Sequence, residues 1–125
     1  MEHAVEIFAV VHLTVMGFSH ILAPRAWAEF FVMLRKQGRP GVFMVGFMSL
    51  YFGSIIAAFH NVWEGLPMIL SLLGWAQVVK ATAYFVYPAY GLRMLEVVDP
   101  DKPRQFVIAG AGLLAIAGVV AAGWL

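Results

Sequence analysis

The chain contains no cysteine, which excludes a disulfide framework, a thiolate metal site, an iron–sulfur cluster and a cysteine nucleophile. Charge is almost as scarce: Asp, Glu, Lys and Arg make up 12% of the residues, where a soluble domain carries about a quarter. The net charge is +1 and the basic residues form no aromatic-interleaved face, so nucleic acid is not an expected partner. No nucleophile elbow, phosphate loop, HExxH motif or dinucleotide fingerprint occurs, and the reading leans away from an enzyme. The N-terminus lacks the basic leader and small-residue cleavage site of a secretory signal, so its first apolar run is expected to be a retained helix and the mature protein to be the whole chain.

What is abundant is hydrocarbon, with 62% apolar residues and a mean hydropathy of +0.85. Crossing a bilayer takes about 20 mostly apolar residues in a helix. Runs at roughly 3–23, 41–60, 66–87 and 104–125 satisfy that length, and Pro24, Gly38–Arg39–Pro40, Glu64–Gly65–Leu66–Pro67 and the Asp99–Pro103 stretch break between them. The expected architecture is a single all-α domain, an integral membrane four-helix bundle. Between the first and second spans, Trp27, Phe30, Phe31 and Leu34 recur at helical spacing while Arg25, Glu29, Arg35 and Lys36 take other faces, which predicts an interfacial amphipathic helix over about 25–37. Leu92, Met94, Leu95 and Val98, around Arg93 and Glu96, are expected to extend the third span past Pro88 into the headgroups.

Seven basic residues, Arg25, Arg35, Lys36, Arg39, Arg93, Lys102 and Arg104, lie in the first and third connections, and none lies at the termini or in the second connection. Cytoplasmic loops retain positive charge, so in a bacterial-type inner membrane these two connections are expected inside and both termini outside, in the periplasm. Trp63 and Trp124 then belt the outer level, with Trp27, Tyr87 and Tyr90 at the inner one. Small-residue stripes, Gly46–Ser49–Gly53–Ala57 and Ala111–Ala115–Gly118–Ala122, offer helix–helix seams within one chain or between copies. So small a unit has little interior, and a homo-oligomer or a place in a larger membrane complex is expected.

Ionisable groups within hydrocarbon are the first candidates for function. Lys80 shares a face with Gln77 and Tyr84 and could line a polar seam; alternatively its stem snorkels about 12 Å to the headgroups. His12 lies mid-span, with Met16, Ser19 and His20 on a neighbouring face, suited to a proton path, a ligand, or a plain hydrogen bond to another helix. Lys80, Gln77, Tyr84, His12 and His20 are thus the candidate polar interior. No second histidine at the depth of His12 lies on another helix, so a haem or other tetrapyrrole would need a single axial ligand or a dimer axis. Near the outer surface Glu2, His3 and Glu6 are at helical spacing and His60 ends the second span at the same depth, a set of oxygen and imidazole groups able to hold a divalent cation or simply to be solvated. Asn61 joins His60, Glu6 and His3 as an outer-face candidate; in the local reading His60 and Asn61 bond the last carbonyls of the second span and Trp63 anchors the interface.

The segment His60–Asn61–Val62–Trp63 followed by Gly74–Trp75 and Lys80 resembles a group of small, functionally uncharacterised four-span bacterial inner-membrane proteins, in which a His-Asn-x-Trp turn precedes a Gly-Trp-x-x-x-x-Lys helix. The resemblance covers about a quarter of the chain. It implies a shared fold and importance for His60, Asn61, Trp63, Trp75 and Lys80, and brings no activity with it.

The expectation that follows is a non-catalytic membrane component, either a small transporter or channel-like oligomer or an accessory subunit, with no cofactor specified by the sequence. The alternative is a metal- or haem/tetrapyrrole-binding redox protein using His12, His20 or His60. A third reading, a lipid-processing enzyme, would use Arg35, Lys36 and Arg39 to grip headgroup phosphates.

Overall fold

In the computed structural model, which describes residues 1–125, the chain forms six helices and no strand: α1 (Glu2–Leu22), α2 (Pro24–Lys36), α3 (Arg39–Phe59), α4 (Met68–Val86), α5 (Pro88–Glu96) and α6 (Arg104–Ala122). Four of them, α1, α3, α4 and α6, are long and apolar enough to cross a membrane, and they pack as one integral membrane bundle. Both termini and the α3–α4 turn gather at one end, called here the terminal end. The short helices α2 and α5 meet at the opposite, basic end.

Local chemistry sets the breaks. Pro24 and Pro88 begin α2 and α5 at positions where a missing N–H costs least. The residues before them, Ala23 and Tyr87, leave the helical region (φ −130°, ψ 52° and φ −135°, ψ 74°), as the proline ring demands. The third connection therefore does not prolong α4, as its apolar residues led us to expect. It starts a separate helix that turns back under the bundle, so the basic end carries a second amphipathic helix beside the predicted one. Gly38, at φ 71°, supplies the left-handed turn between α2 and α3.

The spanning helices associate as two close pairs. In the α3–α4 pair, a Cβ on Gly53 would lie 2.8 Å from the Gly74 carbonyl oxygen and 2.7 Å from Gln77 Cβ, and a Cβ on Gly74 would lie 2.7 Å from Ile56 Cβ. Only glycine permits this approach, and the predicted stripe on α3 is the seam that uses it. In the α1–α6 pair, Gly17 and Gly110 lie backbone to backbone: a Cβ on either would come within 2.6–3.0 Å of the other's carbonyl oxygen. This seam uses a different face of α6 from the predicted one. Ala111, Ala115, Gly118 and Ala122 are exposed, and a Cβ on Gly118 would meet nothing within 4 Å.

Of two apolar clusters, the first joins the two pairs and the second seats α2 and α5 against the α3–α4 pair. Val5, Ala9, Ile56, Leu70 and Val120 form one towards the terminal end, and Leu34, Val42, Val45, Tyr84 and Leu95 form the other towards the basic end. α2 docks by its predicted face: Leu34 is buried, Phe31 stacks on Phe106 at 5.7 Å, and Arg25, Glu29 and Lys36 remain exposed. Arg35 donates to the Val98 carbonyl at 3.1 Å and ties α2 to the chain beyond α5.

Candidate functional site

Polar groups inside the bundle gather at two places, one at each end. At the terminal end α3 stops at His60, whose N–H still donates to the Ile56 carbonyl at 2.8 Å. The extended backbone there turns the imidazole inward, where it is completely buried. His60 Nε2 lies 3.2 Å from Glu6 Oε1 on α1, and His60 Nδ1 lies 2.8 Å from Ser71 Oγ on α4. Ser71 is also completely buried; its oxygen receives the Val62 N–H at 2.9 Å, and it stands 3.2 Å from the His60 carbonyl as a donor. The second carboxylate oxygen of Glu6 accepts the Trp124 indole N–H at 3.2 Å and lies 3.8 Å from His3 Nδ1. One carboxylate thus gathers α1, the α3–α4 turn and the C-terminus.

Glutamate, histidine and serine in that order evoke a hydrolytic relay, but the geometry is that of a clasp. Ser71 Oγ is sealed from any substrate, and its hydrogen-bonding capacity is spent on His60 and Val62. A nucleophile needs an open face for the reacting carbon and donors for the developing oxyanion; neither is present here. Of the four groups expected to converge near the outer surface, His3, Glu6 and His60 do come together and Glu2 does not join them. No three His, Asp or Glu side chains reach the spacing of a metal ligand set, and both nitrogens of His60 already have partners. The local reading of the turn is met by the His60 N–H and the Asn61 side chain, and the imidazole goes elsewhere. Asn61 Nδ2 does bond the α3 carbonyl of Ala57 at 2.7 Å, while the His60 side chain leaves the helix end for Glu6 and Ser71 because a polar pocket at that depth is better than hydrocarbon. Asn61 Oδ1 also accepts the Trp75 indole N–H at 2.9 Å, so Asn61 and Trp75 fasten the turn to α4, and Trp63 is exposed at this level.

The second place is an open cavity of about 250 Å³ towards the basic end, lined by residues of α2, α3, α4, α5 and α6. Eight of its ten lining residues are hydrophobic, and Lys80 and Gln105 bring nitrogen donors to it. Lys80 extends one turn along α4 until Nζ lies 5.6 Å from the centre of the Tyr84 ring. The two readings of this lysine therefore merge: the stem leans towards the basic end, yet the head stops in a cavity beneath α2 and α5. Both ion pairs of the protein belong to Glu6, and Lys80 has no carboxylate partner. Gln105 Nε2 is sealed from solvent and has no acceptor.

The other candidates are dispersed. Gln77 packs against Gly53 in the α3–α4 seam rather than beside Lys80. His12 stacks on Phe52 of α3 at 4.6 Å and faces a groove along α1 shared with Met16. His20 stacks on Trp27 at 4.2 Å, with Nδ1 2.6 Å from the Met16 carbonyl, while Trp27 donates to Ser19 Oγ at 2.8 Å; together these latch α2 to α1. No single polar interior unites Lys80 with the histidines. Ser71, Gln105 and Trp124 were not foreseen as members of either place.

No family model matches the chain, and no curated protein or solved structure matches it.

Proposed function

We propose that the protein is a non-catalytic integral component of a bacterial inner membrane, a small ligand-binding or transporter-like unit acting as a homo-oligomer or as a subunit of a larger complex. The observation that carries this reading is Lys80: a cation within a spanning helix, at a cavity, with no anion supplied by the chain. Uncompensated charge at such depth is costly and is kept where it meets something. The one constellation that resembles catalytic machinery, Glu6–His60–Ser71, is a closed clasp and takes no part in this reading.

In this reading the basic end faces the cytoplasm. α2 and α5, with the connections that hold seven of the eight basic residues, lie together at that end, as positive-inside retention requires. The termini and the His60–Trp63 turn are then periplasmic.

Native mass spectrometry of the gently extracted protein, with an absorption spectrum of the same sample, tests the reading. A retained small molecule that disappears in Lys80→Met, with folding and oligomer size intact, is the expected result. A Soret or chlorin band would overturn it in favour of a tetrapyrrole protein, for which His12 and the Nε2 of His20 are the available ligands, because both ring nitrogens of His60 already have partners whereas His20 is held through Nδ1 alone.

A further inference from the structure

Resting on that reading, we propose that the Lys80–Gln105 cavity binds the head of a single-chain amphiphilic carboxylate, a long-chain fatty acid. Two donors fix the chemistry of the head. The Lys80 ammonium has no counter-ion among the chain's seven acidic residues, and the Gln105 amide N–H is buried with nothing to accept it. A buried donor such as Gln105 Nε2 is rarely left unmet, and it lines the same cavity as the half-buried Lys80. A ligand that satisfies them brings negative charge and at least two acceptor oxygens. A carboxylate does both.

The walls fix the rest of the molecule. Phe31, Val45, Leu95 and Phe106 offer a hydrated inorganic anion nothing, whereas an alkyl chain covers them. Volume decides between amphiphiles. A dry cavity of about 150 Å³ takes a benzene ring, so a space of about 250 Å³ takes a carboxylate and the first methylenes. A single-chain head needs no more than this, whereas a diacyl phosphodiester would have to carry its glycerol and two acyl esters out through the mouth. Met94 and Ala109, both exposed, mark the mouth of the cavity, through which the remaining chain would lie in the bilayer.

The test is equilibrium binding of radiolabelled palmitate to the full chain in phosphatidylcholine nanodiscs, with hexadecanol, lysophosphatidic acid and inorganic phosphate as competitors. Saturable binding of about one palmitate per chain is expected, with none of the three competing effectively. Lys80→Met should weaken it at least tenfold, Lys80→Arg should largely retain it, and Gln105→Leu should weaken it a few-fold. Gln105→Leu also removes a buried, unmet donor, so it should fold at least as well as the parent and keeps the test open if Lys80→Met misfolds. Equal competition by hexadecanol would overturn the proposal by showing that the head is not read. Stronger binding of lysophosphatidic acid would assign a phosphate lipid, and competition by phosphate alone an inorganic ion; either overturns it. Should palmitate fail while mass spectrometry still finds a Lys80-dependent ligand, the carboxylate assignment falls and the proposed function stands. If no ligand depends on Lys80, both fall.

Discussion

Glu6 and His60 are 54 positions apart in the chain and meet at 3.2 Å in the interior of the bundle, where His60 is wholly buried and Glu6 nearly so. The contact joins the α1–α6 pair to the α3–α4 pair at the terminal end. It explains how a bundle with two strong seams and weaker cross-contacts becomes one unit. Inside lipid no hydrophobic force distinguishes one apolar face from another, so polar bridges and close packing specify the partners.

The clasp should behave as a coupled group. Truncating His60→Ala leaves a buried carboxylate and a buried serine without their partner, and a loss of about 1–3 kcal/mol is expected. Glu6→Gln keeps an oxygen facing His60 and should cost less. The double variant should lose less than the sum of the two single losses, because both remove the same contact. Reversible unfolding in mixed micelles measures all three; strict additivity would mean that Glu6 and His60 do not act together.

Substituting glycines separates seams used within the chain from faces left free. Gly74→Val drives new methyl groups into Ile56 and should destabilise the fold by about 1–3 kcal/mol. Gly118→Val meets open space and should leave the monomer fold unchanged. If the exposed Ala111–Ala122 face joins copies, the same Gly118 variant should reduce oligomer size on native gels. Unchanged size would exclude that face from the assembly.

The four spans were legible because length and hydropathy alone decide whether a helix can cross hydrocarbon, and the dipeptides containing Pro24, Pro40 and Pro88 mark their ends within a few residues. The partners of those spans were not legible. Gly17 is the one glycine of α1 and Gly110 one of three in α6, and only the folded chain reveals that these two face one another, while the more regular stripe on α6 remains outside. The convergence of Glu6 and His60 could be read from depth. Ser71 could not, because one serine in an apolar run carries no periodic signal. Gln105 follows Arg104 at the start of α6 and gives no sign in the sequence of the inward turn that carries its amide beneath α2 and α5.

Orientation has a direct chemical check, since the chain has no cysteine and any introduced thiol is unique. Glu64 and Lys102 are both exposed, one in the α3–α4 turn and the other just before α6. An impermeant maleimide added to intact spheroplasts should label Glu64→Cys, and should label Lys102→Cys only after permeabilisation. The reverse pattern would turn the protein over and place His60 and its turn on the cytoplasmic side.

The latch between α2 and α1 is the last element open to a clean test. Trp27 contributes two separable interactions, its stack on His20 at 4.2 Å and its indole N–H donated to Ser19 at 2.8 Å. Trp27→Phe retains much of the stacking and loses the donor, for a cost of about 1 kcal/mol; Trp27→Ala loses both and should release α2 from the bundle. Because α2 forms one wall of the Lys80 cavity through Phe31, freeing it should speed amide hydrogen exchange over 24–36 and weaken ligand binding together. Faster exchange with unchanged binding would show that α2 covers the cavity without shaping it.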